Sequence, residues 1–138
     1  IIGDIDSRFL DMYKDVESII FKGILPFEEV KKHYAKSSLM VHPAISDAGP
    51  RSVLEGMASS LPIVISDSSG YSEIITNNHE GFVIPSYSSA SIEDRINFFY
   101  NNRSEIKRMG INSLDTVKNF SLKNYANRVI KAIEDVVN

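Results

Sequence analysis

The chain has 138 residues, the size of one domain and enough to bury a core without metals or crosslinks. It has no cysteine, which excludes disulfides, thiolate metal sites and cysteine nucleophiles and fits a reducing compartment. A formal net charge of −3 and a pI near 5.6 argue against an electrostatic grip on nucleic acid or an anionic membrane.

The N-terminus, Ile1-Ile2-Gly3-Asp4, lacks the basic start and long apolar stretch of a signal peptide and reads as the tail of a strand. No apolar run approaches the ~20 residues of a membrane helix, so the expected location is the cytoplasm. Ser18–Lys22 is rich in β-branched residues and is expected to be a strand. Pro26 then suits the first turn of a helix that turns Val30, Tyr34 and Ala35 inward and Glu28, Glu29, Lys31 and Lys32 outward. Leu39–His42 is the next expected strand. Pro50 opens a second helix that has to end near Leu61-Pro62. Ile63–Ser66 reads as a strand, Gly70–Ile75 as a short helix, and Gly81–Pro85 as a strand closed by proline.

The last third reads as helices only. Ile92, Ile96 and Phe99 have helical spacing, as do Ile106, Met109 and Val117. Leu122, Tyr125, Ala126, Val129, Ile130, Ile133 and Val137 form a clean stripe, with Ser121 as its N-cap. Ser88 to Asn138 is therefore expected to close over the sheet. Strands alternating with helices imply an α/β fold: a Rossmann-like parallel sheet flanked by helices, with C-terminal helices.

In such a sheet ligands bind beyond the carboxyl ends of the strands. Three loops qualify: Gly23 to Pro26, Pro43 to Gly49, and Asp67 to Gly70. The middle one leads into Pro50-Arg51-Ser52-Val53-Leu54-Glu55. With Gly49 near the N-cap and Pro50 first in the helix, the amides of Arg51 and Ser52 face the cleft and favour an anion such as a diphosphate. Glu55 shares their side of the helix and suits the vicinal hydroxyls of a ribose. Gly56 costs ~1 kcal/mol against alanine in a helix, which implies that something passes close to the backbone. Each residue also has a plainer reading. Pro50 can simply start a helix, Arg51 and Glu55 can form a surface pair worth ~0.2–0.5 kcal/mol, and Asp47 can be an Asx-turn residue. His33, His42 and His79 are scattered over a helix, a strand end and a loop, and read as structural or surface groups.

The ordered set Pro43-Ala44, Asp47, Glu55-Gly56-Met57-Ala58 and Pro62-Ile63-Val64 resembles the nucleotide-binding motif of retaining GT-B glycosyltransferases, often called family 4 or group 1. Gly70 with Ser72–Ile75, and Glu80–Pro85, continue the match, as do Phe21–Leu25 upstream and Arg108-Met109-Gly110 and Asn119-Phe120-Ser121 downstream. The resemblance implies a C-terminal GT-B domain, residues 1–138, that is partial. It lacks an N-terminal acceptor domain and the first strand-helix unit with its basic pair. It further implies that Glu55 binds the donor ribose and that Asp47, aspartate where the family has glutamate, lies near the donor sugar as a catalytic residue. Gly49, Pro50, Arg51 and Ser52 would hold the diphosphate and sugar, and Leu25 would pack near the base. The implied substrate is a nucleotide-diphosphate sugar, with no cofactor and no metal. The implied parent is a transferase of polysaccharide or glycolipid assembly, inactive as this chain alone and compatible with peripheral membrane association. A nucleotide-sugar epimerase of the same fold and a non-catalytic binding or assembly module are the alternatives. A flavodoxin-like receiver is disfavoured, because no acidic cluster follows the first strand.

Overall fold

The computed structural model describes residues 1–137, so Asn138, the last residue of the expected helical third, lies outside the described residues. The chain divides into two compact units, residues 1–36 and residues 37 onward.

In the first unit, helix α1 spans Ser7–Tyr13. Asp6 caps it by accepting the Arg8 amide at 2.9 Å, and the Arg8 guanidinium bonds back to the same carboxylate. Ser18–Lys22 does not form the expected strand. Ile1–Gly3 and Ile20–Gly23 run side by side through Lys22 N–H to Ile1 O (2.8 Å) and Gly3 N–H to Gly23 O (2.9 Å), with one parallel bridge, Ile2 to Gly23. The partner stretch is too short to build a ladder, and Ile20 stays 61% exposed. Helix α2, Phe27–Lys36, starts one residue after Pro26, whose carbonyl accepts the Glu29 and Val30 amides. Val30, His33 and Tyr34 make its half-buried face, whereas Ala35 is exposed. Glu28–Lys31 and Glu29–Lys32 pair on the solvent side.

The second unit is a three-stranded parallel sheet of β1 (Met40–His42), β2 (Ile63–Ser66) and β3 (Gly81–Ile84), in that spatial order. Met40 faces Ile63 across the first pair, and Ile63 faces Gly81 across the second. All four residues of β2 are buried, as a strand covered on both faces requires. On one face Val64, Phe82 and Ile84 pack with Phe99 of α4 (Ser89–Asn101) and Met109 of α5 (Arg103–Val117). Ile96, read as part of the same apolar face, is 44% exposed.

Helix α3 (Arg51–Ala58) buries Val53, Gly56 and Met57, while Leu54 is only half-buried. A Cβ on Gly56 would strike the Met40 side chain and lie 3.5 Å from Ile63 Cδ1. The close neighbour implied by this glycine is therefore the sheet, not a ligand. The helix ends at Ala58, short of Leu61-Pro62. Ser60 takes a left-handed conformation, and the Leu61 and Ser60 amides bond back to Gly56 and Met57 carbonyls.

Beyond the Lys118–Phe120 turn comes α6, Leu122–Val137. Ser121 caps it as expected, accepting the Asn124 amide at 3.2 Å. The helix does not close over the sheet, however: none of its residues is buried, and Leu122, Ile133 and Val137 are 87%, 58% and 78% exposed. The stripe has the right period, but its apolar residues are left exposed. Among the described residues, no helix is long and apolar enough to cross a membrane.

One buried polar group ties α5 to the segment that leads into β3. Glu80 is 4% exposed, and its carboxylate accepts the Thr116 hydroxyl (2.6 Å) and the Thr76 amide (2.8 Å) and lies 2.9 Å from His79 Nδ1. Its carbonyl accepts the Ser113 hydroxyl of α5. Burial pushes the Glu80 carboxyl up, but these donors outweigh it and hold it below its usual value. A carboxyl lowered in the folded state stabilises above its unfolded pKa of about 4.3, and that contribution is lost as pH falls through the lower folded value. Glu80→Gln is thus expected to cost ~1–3 kcal/mol at pH 7, with the gap to wild type narrowing below about pH 4. Urea unfolding at a series of pH values measures it, and a gap independent of pH would contradict the assignment.

Candidate functional site

The carboxyl ends of β1 and β2 open onto two loops that are stitched together. Asp47 and Ser69 form a parallel bridge, with the Gly70 amide donating to Asp47 O at 2.8 Å. Gly70 is required at this point, because a Cβ there would collide with the Ala48 carbonyl. Beneath the bridge, the Ser66 and Ser68 hydroxyls both donate to Ala44 O. The Ser86 amide and hydroxyl donate to Asp67 Oδ1 and hold that carboxyl below its ordinary range. The floor of the loop pair is therefore a serine network, which spacing alone does not reveal.

The second loop residue to matter is Pro50. It is buried and serves as the N-cap of α3 (φ −67°, ψ 103°), one position earlier than the sequence suggests, which makes Arg51 the first helical residue. Proline offers no side-chain acceptor, so the N-cap residue itself makes no capping bond to this helix end. The N-terminal dipole and amides keep their preference for an anion. Arg51 is exposed and Ser52 and Glu55 are half-buried, with Arg51 and Glu55 on the side of α3 away from buried Val53, Gly56 and Met57. Gly49 is exposed next to the Tyr71 ring, whose Cζ lies 3.8 Å from where its Cβ would be.

Asp47 turns back into its own loop. Its Oδ1 accepts the Gly49 amide at 3.1 Å, the Asx turn that the plainer reading expected. Its Oδ2 lies 3.5 Å from His42 Nε2, at the end of β1. One stretch of chain thus brings together Asp47, Gly49, Pro50, Arg51, Ser52 and Glu55. Leu25 belongs to the first unit, where it is half-buried ahead of α2. Among the described residues, no three His, Asp or Glu side chains cluster as metal ligands.

Known proteins share both sequence and fold with this chain. An uncharacterized glycosyltransferase of Methanocaldococcus jannaschii is 27% identical over 149 residues, covering 98% of this chain and 42% of the relative. A glycosyltransferase of Rickettsia africae superposes with a TM-score of 0.86 at 19% identity, over 99% of this chain and 39% of that one. HepE of Anabaena, solved in complex with UDP-glucose, gives 0.82 at 14% identity, over 97% of this chain and 40% of that one. The chain therefore spans less than half the length of these proteins, and its fold is that of a GT-B glycosyltransferase C-terminal domain. The family model for glycosyl transferases group 1 matches residues 11–116, and the chain belongs to that family.

Proposed function

We propose that these residues form the donor-binding part of an enzyme that moves a sugar from a nucleotide-diphosphate sugar to an acceptor with retention of configuration. The observation that carries this reading is the start of α3, a helix that opens at Pro50 straight from the loop after β1 and has Glu55 one turn beyond Arg51 on the same side. The helix end meets the diphosphate and stabilises the charge that develops as it leaves. Glu55 accepts hydrogen bonds from the ribose hydroxyls. Arg51, Ser52 and the Gly49-Pro50 turn border the phosphates and sugar, with Asp47 near the sugar. The acceptor and further cationic groups for the diphosphate come from residues beyond this chain, and no metal is assigned. UDP-glucose bound to HepE, a protein of the same fold, supports a donor of this class.

The full-length protein is expected to release nucleoside diphosphate from a nucleotide sugar and to give a product of unchanged anomeric configuration, read by NMR. Inversion would remove the retaining mechanism. A second reading, a nucleotide-sugar-binding module without turnover, draws on the Asp47 carboxylate being tied back to Gly49. Binding without any release of diphosphate would favour it.

A further inference from the structure

His42 ends β1, which is held in register by Ile65 of β2. Its ring Nε2 is buried and has no hydrogen-bond partner, while Asp47 Oδ2 stands 3.5 Å away. The other oxygen of the same carboxylate accepts the Gly49 amide, and Gly49 precedes the Pro50 N-cap of α3. A rigid strand end, a carboxylate and the turn at the helix start are thus joined in series. Buried polar nitrogens without partners are rare in folded proteins. This one needs only a few tenths of an ångström to gain a charge-assisted bond.

We propose that His42 is a positioning residue of the donor site: through Nε2–H it anchors Asp47, which in turn holds the Gly49-Pro50 turn that faces the diphosphate. This rests on the donor-site reading above. A carboxylate only accepts hydrogen bonds, so the proton must sit on Nε2. The device acts on the phosphate-facing turn and not on the ribose, and its loss is felt most by ligands with a second phosphate.

The test uses the full-length protein and calorimetric affinities for UDP, GDP and ADP and for their monophosphates. His42→Leu fills the space without the donor, and His42→Gln restores an N–H near the Nε2 position. For the nucleotide that binds, His42→Leu is expected to weaken the diphosphate about fivefold, on the scale of one net hydrogen bond. The monophosphate should change less than about twofold, and His42→Gln should return the diphosphate to near wild type. His42→Asn, whose amide falls short of Asp47, behaves as the leucine variant does and replaces it if that variant does not fold. Equal losses for mono- and diphosphate, or a glutamine variant no better than leucine or asparagine, overturn the role of His42. If wild type binds none of the three diphosphates, the donor-site reading falls and this inference falls with it. If Glu55→Ala loses affinity while His42→Leu matches wild type, only the His42 inference falls.

Discussion

Replacing Glu55 with alanine is expected to weaken nucleoside diphosphate binding to the full-length protein by about 1.5–3 kcal/mol, roughly 10- to 150-fold. That is the scale of hydrogen bonds made to a charged group. Glu55 is half-buried on the side of α3 opposite Val53, Gly56 and Met57, so shortening it leaves the packed face intact. Alanine is also the better helix former, which offsets the loss of the glutamate's own contacts, and the thermal midpoint should move little. Lost affinity at constant stability is what separates a ligand contact from a surface pair. If Glu55 merely balances Arg51, the substitution shifts stability by ~0.2–0.5 kcal/mol and leaves nucleotide affinity unchanged.

The largest effect on stability is expected from Phe99→Ala, at about 3–5 kcal/mol. The Phe99 ring is 2% exposed and sits edge-on to Phe82 and Phe98, with centroids 5.7 and 5.4 Å away. Removing it opens a cavity between α4 and β3, where Val64, Ile84 and Met109 also converge. Domains of this size have ~5–15 kcal/mol in total, so the variant should unfold at a much lower urea concentration. Phe98, half-buried in the same cluster, should cost less. A Phe99→Ala midpoint equal to that of wild type would contradict the proposed core.

Both the core and the donor loop follow from short local signals. Ile63–Ser66 is read to the residue because the apolar run Ile63-Val64-Ile65, set between Pro62 and Ser66-Asp67, suits a strand buried on both faces. Ser18–Lys22 carries a weaker signal of the same kind and fails, because a strand also needs a partner and Ile1–Gly3 offers one bridge. Helix α1 escapes the periodicity test, being two turns long. Its signal is Asp6 ahead of Arg8, a cap and not a stripe. The reverse holds for α6, where the stripe is clear in the sequence but its exposure is a matter of tertiary placement that no local pattern encodes.

At the site, Pro50 and Glu55 are legible because helix geometry links them over one turn. The displacement of Pro50 from first residue to N-cap is within the usual uncertainty of a helix end. Gly56 signals close approach, and only the tertiary packing of α3 on Met40 and Ile63 shows what approaches. His42 and Asp47 are not legible as a pair, since their contact depends on the loop from Pro43 doubling back over the end of β1. The three donors on Glu80 come from positions as far off as Thr116, beyond any local pattern.

The central claim, that α3 presents Glu55 to the ribose of a donor nucleotide, is tested most directly by a two-by-two affinity measurement. Wild type and Glu55→Ala are each titrated with the nucleoside diphosphate that binds and with its 2′-deoxy, 3′-deoxy form. Wild type should lose about tenfold or more on removal of the hydroxyls, and Glu55→Ala should be nearly indifferent to them, leaving a coupling of at least about 1 kcal/mol. Equal losses in both proteins would show that Glu55 does not meet the ribose and would contradict the account.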